Sequence, residues 1–336
     1  MKISPLVTVI IPTYNYGYYI CEAIDSVLAS EFPRGEIEII VIDDGSTDDT
    51  AERISVYGKQ VDYYAQPNVG KAAATKIGIE LAHGKYIFNL DADDLFLPAK
   101  IREVVSIFEE EASCVHVAHP AICWDVLQEA RIVEPIPPPL LGRLNSGKQL
   151  LEYFYKRRML FGGGSTFAAR ADVLKKVPIA SEIDMFVDEY LVLAALNKGD
   201  SYFIREPLSI WRIHGENFSN AEVGRGDLAK TERTRKSMEA VFSSISNNDY
   251  GSLIKSIYGL KLELLQVTAR EQAERKNIND VLNLWSYLWH SSGILGMDTV
   301  RVIASYGVLR RSLPVFALKF LKTARQSISK RALPLT

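Results

Sequence analysis

The stretch Tyr86-Ile87-Phe88-Asn89-Leu90-Asp91-Ala92-Asp93-Asp94 runs from an apolar segment straight into a cluster of carboxylates. Residues 86–90 read as a buried strand, because a short continuous apolar run suits a strand covered on both faces. Carboxylates packed so closely repel one another, and they stay ionised when a cation joins them. A solvated acidic turn is the plain alternative, and the position at a strand end argues against it.

The sequence around this stretch repeats one unit. Upstream, His83-Gly84 closes a small-residue helix over 70–82. Before it come a short strand, Val61–Ala65, and a helix with Thr47 as its cap and Asp48, Asp49 and Thr50 in its first turn. Glu36–Ile42 is an apolar strand ending in Asp43-Asp44-Gly45-Ser46. Ile20, Ala23, Ile24, Val27 and Leu28 give Tyr18–Leu28 helical spacing, and Leu6–Ile11 is a β-branched strand that Pro12 ends. Downstream, Pro98 opens a helix to about Glu110. Alternating strands and helices at this spacing form right-handed βαβ units, hence an α/β fold with a doubly wound, mostly parallel sheet. Ligands of such sheets bind beyond the carboxyl ends of the strands. Three polar clusters stand there: Thr13-Tyr14-Asn15, Asp43-Asp44 and Asp91–Asp94.

Hard oxygen ligands favour Mg²⁺ or Mn²⁺, which bridge carboxylates to substrate phosphates. Asp91 and Asp93, with Asp94 as a further candidate, therefore point to a nucleoside-diphosphate leaving group, whose charge a metal neutralises. Tyr14 is placed to stack on a base, and Asp44 to accept a hydrogen bond from a base or ribose. Asp43 is suited to holding the loop. No Gly-x-Gly-x-x-Gly or Gly-Lys-Ser/Thr loop follows the first strand, which argues against dehydrogenase and P-loop chemistry.

After Cys114 the pattern is mixed. Val115–Ala118, Ala121–Trp124 and Thr166–Ala169 read as strands, and Tyr202–Ile204 as an edge strand. Helices are predicted over Ser146–Arg157 and Asp188–Lys198, with a proline-rich loop at 135–139. Gly162-Gly163-Gly164 is a close-packed or flexible loop where an acceptor can approach. Beyond Gly224 strand signals vanish, and four or five helices are predicted, broken near Asn247-Asn248, Lys276-Asn277, Ser291–Gly293 and Ser312–Pro314. The expected division is 1–223 (a donor half 1–112, an acceptor half 113–223) and a helical extension 224–336.

The 336 residues carry a formal net charge of −2, which excludes a global basic surface for nucleic acid. Cys21, Cys114 and Cys123 lack metal-ligand spacing and read as reduced thiols. The apolar run 7–11 is too short for a signal peptide, and no uncharged run of roughly 18 apolar residues occurs. A cytoplasmic location is expected, with the inner face of the cytoplasmic membrane as the alternative. Residues 300–336 hold eight basic and no acidic residues, interleaved with Leu313, Phe316, Phe320 and Leu321. That basic amphipathic helix can lie on an anionic membrane or pack on the rest of the chain. Trp285 and Trp289, at i and i+4, read as core.

Three ordered motifs carry a resemblance: Val9-Ile10-Ile11-Pro12-Thr13-Tyr14-Asn15, then Ile40-Val41-Ile42-Asp43-Asp44-Gly45-Ser46-Thr47-Asp48, then Asn89-Leu90-Asp91-Ala92-Asp93-Asp94. Over about the first 110 residues the chain resembles the family 2 glycosyltransferases, inverting enzymes with the A-type nucleotide-diphospho-sugar transferase fold. The resemblance implies base contacts from Tyr14 and Asp44, with Pro12, Asn15 and Asp43 as further donor-binding candidates. It also implies that Asp91 and Asp93 meet the ribose, diphosphate and metal. The family places Arg-Asn where this chain has Thr75-Lys76, so Lys71 or Lys76 becomes the candidate cation for the donor. Asp188-Glu189 resembles the acidic pair holding the general base, and either residue fits. Trp211-Arg212-Ile213-His214 resembles the family's closing segment, with Arg212 toward the diphosphate and His214 toward the metal. The implied activity is a metal-dependent, hexosyltransferase-like transfer from a UDP-type donor to a hydroxyl of a glycan or lipid-linked acceptor. Polysaccharide or glycoconjugate synthesis is its natural setting. The rival readings are a sugar nucleotidyltransferase, which wants a glycine-rich loop after the first strand, and an inactive nucleotide-binding scaffold.

Overall fold

The computed structural model describes residues 5–157, 160–215, 217, 228–273 and 278–295. The first part runs β1 (Val7–Thr13), α1 (Gly17–Leu28), β2 (Ile37–Asp43), α2 (Thr50–Ser55), β3 (Asp62–Ala65), α3 (Lys71–Leu81) and β4 (Tyr86–Asn89). It continues with β5 (Leu95–Phe96), α4 (Lys100–Glu110), β6 (Cys114–Ala118), β7 (Ala121–Asp125), β8 (Ala130–Val133) and β9 (Arg143–Asn145). Then come α5 (Gly147–Arg157), β10 (Ala168–Arg170), α6 (Ala171–Leu174), α7 (Val187–Leu196), β11 (Asp200–Phe203) and β12 (Ser209–Ile213). Three helices follow, α8 (Leu228–Ser246), α9 (Ser252–Gln272) and α10 (Ile278–Leu295).

The main sheet has eight strands in the order β3-β2-β1-β4-β10-β6-β11-β9. β3, β2, β1 and β4 are mutually parallel, and β10 enters antiparallel between β4 and β6. β1, β2 and β4 carry apolar residues on both faces because both are covered, with Thr8 donating to Glu38 (2.5 Å) as a polar pair between β1 and β2, whereas β3 is largely exposed. Val7, Val9 and Ile11 pack against α1 and α4 on one side, while Ile10 packs with Ala72 and Ile79 of α3 on the other. Ile39 and Val41 alternate with Ile40 and Ile42 in the same way.

Pro12 does not end β1 as expected. The ladder to β4 stops at Ile10↔Asn89, whereas that to β2 runs on through Thr13↔Asp43. The Ile10 carbonyl accepts from Leu90 of the β4 side and the Thr13 carbonyl from Asp44 of the β2 side. Pro12, two residues after Ile10, therefore faces the side where no strand remains to need its N–H.

Other expectations also change. The strand at 200–203 is interior, because β9, a short strand without a clear periodic signal, pairs with its outer side. A second sheet, β5-β12-β7-β8, was not legible; β5 is two residues long and β8 is fully exposed. Thr47 caps no helix: α2 starts at Thr50, whose N–H and hydroxyl both donate to Asp48 Oδ1 (3.1 and 2.5 Å). The break expected at Ser291–Gly293 lies inside α10. Trp285 and Trp289 are on its outer face, Trp289 being 80% exposed, since Leu284 and Leu288 take the inner positions. The break at Ser312–Pro314, the boundary near 224 and the basic run from 300 lie outside the described residues.

The C-terminal helices share one core with the second half of the sheet domain. Met238, Val241, Ile257, Tyr258 and Leu260 cluster with Phe154, Tyr155, Val187, Tyr190 and Leu191. The three cysteines are free thiols.

His116 is a buried polar strut of this fold. Its Nδ1 faces the Ser201 hydroxyl at 2.8 Å and its Nε2 the Gly162 carbonyl at 3.0 Å. A carbonyl only accepts, so Nε2 carries the proton and Nδ1 accepts from Ser201. Burial lowers its pKa to about 4. The folded state therefore disfavours the imidazolium, and stability present above the unfolded pKa near 6.5 is lost as pH falls toward 4. Acidification across that window is expected to cost the parent about 3 kcal/mol more than a His116→Gln variant, measured by urea unfolding. Equal pH dependence of the two proteins would refute this assignment.

Candidate active site

The carboxyl ends of β1, β2 and β4 form one rim. Asn15 has a left-handed backbone (φ 57°), which Asn tolerates better than most residues. Its N–H donates to Ser46 Oγ (2.8 Å), and its Oδ1 accepts from the Thr47 N–H (2.7 Å), so it ties the first two strand-end loops together. Asp43 accepts from the Ser46 N–H (2.8 Å) and the Tyr63 hydroxyl (2.7 Å). Asp44 accepts from Gln66 Nε2 (2.6 Å) and the N–H groups of Val69 (2.9 Å) and Gly70 (2.8 Å). Both aspartates thus hold neighbouring loops in place. Pro12 is buried in β1, and Tyr14 stands 43% exposed on the rim.

The acidic loop after β4 is divided by burial. Asp94 turns inward, which removes it as a metal candidate: it accepts from Ser165 Oγ (2.5 Å) and the Arg212 N–H (3.0 Å). Burial, with Asp93 and Asp91 nearby, pushes its carboxyl well above the usual range. Beneath it lies fully buried Lys100, whose Nζ donates to the Ser165 carbonyl (2.5 Å) and Ser209 Oγ (3.0 Å) and sits 3.6 Å from the centre of the Phe96 ring. Ser165 Oγ also accepts from the Asp91 N–H (3.0 Å). The β10 register places this segment beside β4, with Ala168 opposite Phe88.

Asp93 meets the segment after β12. Its Oδ2 lies 3.2 Å from His214 Nε2 and 3.0 Å from Asn217 Nδ2. β12 reaches it because Ser209 and Ile210 pair with Phe96 and Leu95 of β5. The His214 ring stacks on Tyr19 at 4.5 Å, which fixes its plane. Arg212 is buried; its Nε donates to the Asp93 carbonyl, its Nη1 to Glu22, and its Nη2 has no hydrogen-bond partner. Burial first, then Asp91, raises the Asp93 carboxyl.

Among the described residues no three or more His, Cys, Asp or Glu side chains converge as a ready-made metal cage. The donor set still fits a hard divalent cation. Ligands about 2.1 Å from one octahedral ion stand roughly 3 Å apart, near the Asp93–His214 separation. Mg²⁺-type ions commonly take one or two protein ligands and complete the shell with phosphate oxygens and water. Asp91 is turned aside toward Lys71.

Lys71, at the start of α3, joins the two halves. Its Nζ lies 2.8 Å from Asp91 Oδ1 and 2.7 Å from Asp188 Oδ2. Burial opposes its charge, but Asp188 and Asp91 outweigh burial and hold the ammonium protonated. Burial raises the Asp188 carboxyl, and Lys71 opposes that rise. The pair Asp188-Glu189 separates cleanly in space. Asp188 faces Lys71 and Asp91, whereas Glu189 accepts from Tyr258 Oη, Lys261 Nζ (2.5 Å) and Tyr155 Oη (3.3 Å) on the other side. Lys76 is not brought to the rim; it is half exposed and lies 3.9 Å from Glu80, one turn along α3.

Gly70 joins the loop held by Asp44 to the start of α3. Its φ is +107°, and a Cβ there would stand 2.5 Å from Asp184 Oδ1. Gly70→Ala is expected to cost about 1–3 kcal/mol in urea unfolding, from backbone strain and this contact. A neutral variant would show that the turn can relax. Gly162 is similarly constrained: its φ is +85°, and a Cβ would stand 2.7 Å from both Ala118 and His116. The close packing of the glycine run is confined to Gly162, since a Cβ at Gly163 would meet nothing nearer than 3.6 Å and one at Gly164 would stand 3.3 Å from Asp91 Oδ2.

Ser165, Lys100, Asn217 and Tyr19 were not assigned from sequence. Only Ser165 had a local signal, directly after the glycine run; the others act through contacts made by chain folding.

The sequence model described as Glycosyl transferase family 2 matches residues 8–177. An uncharacterized glycosyltransferase of Nostoc sp. is 29% identical over 279 residues, covering 79% of each chain. Another, of Rickettsia typhi, is 42% identical over 107 residues, covering 32% of this chain and 33% of its own. Among solved structures, S. aureus TarS 1-349 in complex with UDP-GlcNAc superposes with a TM-score of 0.59 at 17% identity, covering 89% of this chain and 91% of that one. That likeness is one of fold.

Proposed function

The chain belongs to glycosyl transferase family 2, and on that premise we propose an inverting, metal-assisted transfer of a sugar from a UDP-type donor to a hydroxyl of a glycan or lipid-linked acceptor. Use of a nucleotide sugar comes with the family; the base, metal, stereochemistry and acceptor are our reading. The observation that carries it is Lys71, which sets Asp188 and Asp91 on either side of one ammonium.

In this reading the base rests on the Tyr14 rim beside the loops held by Asp43 and Asp44, and Asp91 faces the ribose. Lys71 supplies positive charge to the diphosphate in the role left by Thr75-Lys76. Asp93 and His214 would hold Mn²⁺ or Mg²⁺, which neutralises charge on the departing diphosphate. Arg212 keeps the backbone of Asp93 in place. Asp188 takes the proton of the acceptor hydroxyl as its oxygen bonds to the anomeric carbon. The bond from that carbon to the β-phosphate oxygen breaks, and the nucleoside diphosphate leaves. A carboxyl raised by burial is better matched to that proton transfer near neutral pH.

A UDP donor is favoured by the nucleotide in the TarS complex of the same fold. We place the catalytic part at 1–223, divided at 112, and the helical part at 224–336. No described helix is long and apolar enough to cross a membrane; the basic run from 300 is the proposed contact with a membrane surface. Assaying a panel of nucleotide sugars with Mn²⁺, reading released UDP or GDP and transfer products, tests the reading. No turnover with any donor, together with nucleotide binding that ignores loss of Asp93, would favour the inactive scaffold.

A further inference from the structure

Two contacts from the C-terminal helices fall on either side of Asp188. Arg233 of α8 lies 2.6 Å from Asp184 Oδ2 through its Nε. Lys261 and Tyr258 of α9 hold Glu189. The gripped residues are the fourth before Asp188 and the one directly after it.

Each contact restrains orientation as well as position. Asp184 has φ 24° and ψ −79°, an unfavourable backbone for a residue with a side chain. Such a conformation persists only where surrounding contacts impose it. Here Arg233 holds the carboxylate on one side and Gly70 leaves it room on the other. Glu189 lies in the first turn of α7, where adjacent side chains diverge by about 100° around the axis. Fixing Glu189 against α9 therefore fixes the direction in which Asp188 points. The anchor is firm: Tyr258 is fully buried, its hydroxyl lies 2.5 Å from that of Tyr155, and Lys261 Nζ lies 4.6 Å from the centre of the Tyr258 ring.

We propose that α8 and α9 act as a clamp that aims Asp188, with Arg233, Tyr258 and Lys261 as positioning residues for the transfer step. The inference rests on the reading of Asp188 as the base. It gives the helical region a part in the chemistry without contact to either substrate.

The test compares the parent with Arg233→Ala, Tyr258→Phe, Lys261→Met and the conservative Lys261→Arg, all in the full chain. Hydrogen–deuterium exchange is read over residues 183–190, the dissociation constant is measured for UDP with Mn²⁺, and kcat and KM with UDP-GlcNAc or whichever donor of the panel turns over. Loosening a reacting group by about 1 Å can cost on the order of 10²-fold. Arg233→Ala and Lys261→Met are each expected to lower kcat about tenfold and to speed exchange in 183–190, with UDP affinity and donor KM held. Lys261→Arg is expected to recover most of the loss. Exchange equal to the parent overturns the clamp, as does a kcat loss matched by the loss of UDP affinity, or no recovery in Lys261→Arg. Parent-like turnover in Asp188→Asn would instead overturn the base reading, and the exchange measurement would still decide whether the helices hold the segment.

Discussion

Replacing Asp188 by Asn is expected to lower kcat by about 10²–10⁴-fold while UDP with Mn²⁺ still binds. Asn has nearly the same shape but cannot accept the acceptor proton, so the chemical step fails and the nucleotide site stays. Lys71 loses one of its two carboxylates and keeps Asp91 at 2.8 Å, which preserves its place on the donor side. Glu189→Gln gives the contrast. It leaves Asp188 chemically intact and weakens the contacts to Lys261, Tyr258 and Tyr155, so a smaller fall in kcat is expected. Steady-state release of nucleoside diphosphate checks both. If Asp188→Asn keeps a large part of the parent rate, the base is another residue.

Asp93→Asn is expected to have effects of opposite sign on function and on stability. Loss of the carboxylate removes the proposed hard ligand beside His214, and a metal acting as Lewis acid is worth several kcal/mol at the transition state. Turnover is therefore expected to fall by at least about 10²-fold, and Mn²⁺ should no longer improve UDP binding. The donor-free protein, in contrast, loses a charge that is buried and faces Asp91 at close range. Asn can still accept from Asn217, so the melting temperature without ligand is expected to stay level or rise. A thermal-shift series with UDP, with and without Mn²⁺, reads both effects, because a ligand of the native state raises its stability. A variant that melts far below the parent and still responds to Mn²⁺ would contradict this account.

The parts of this protein legible in its sequence are those decided by neighbours along the chain. Val7, Val9, Ile10 and Ile11, like Ile39–Ile42, set apolar side chains on both faces of a strand, and a sheet covered on both faces asks for that. The polar clusters at their ends then locate the rim. Juxtapositions set by distant pairing were hidden. Nothing near Arg212 tells that β12 will lie against a two-residue β5 and bring His214 to Asp93. Asp188 and Glu189 are equivalent as letters; what divides them is the rotation of α7 between Lys71 on one side and Tyr258 on the other. The Trp285 and Trp289 expectation failed for a related reason. Helical spacing identifies a stripe but not which stripe is covered, and Leu284 and Leu288 supplied the better-fitting one.

The early end of the β1–β4 ladder has a consequence for how such a protein can be altered. The last bond between the two strands runs from the Leu90 N–H to the Ile10 carbonyl, and Pro12 offers no N–H with which to make another. The segments 14–16 and 91–94 therefore work like two prongs of a fork whose handle is the sheet. Residues on the prongs can be exchanged, or a prong lengthened, without unzipping the backbone pairing below. On the proposed reading of the rim as the donor site, donor preference is in that sense a modular property of this chain, adjustable at the tips while the load is carried underneath.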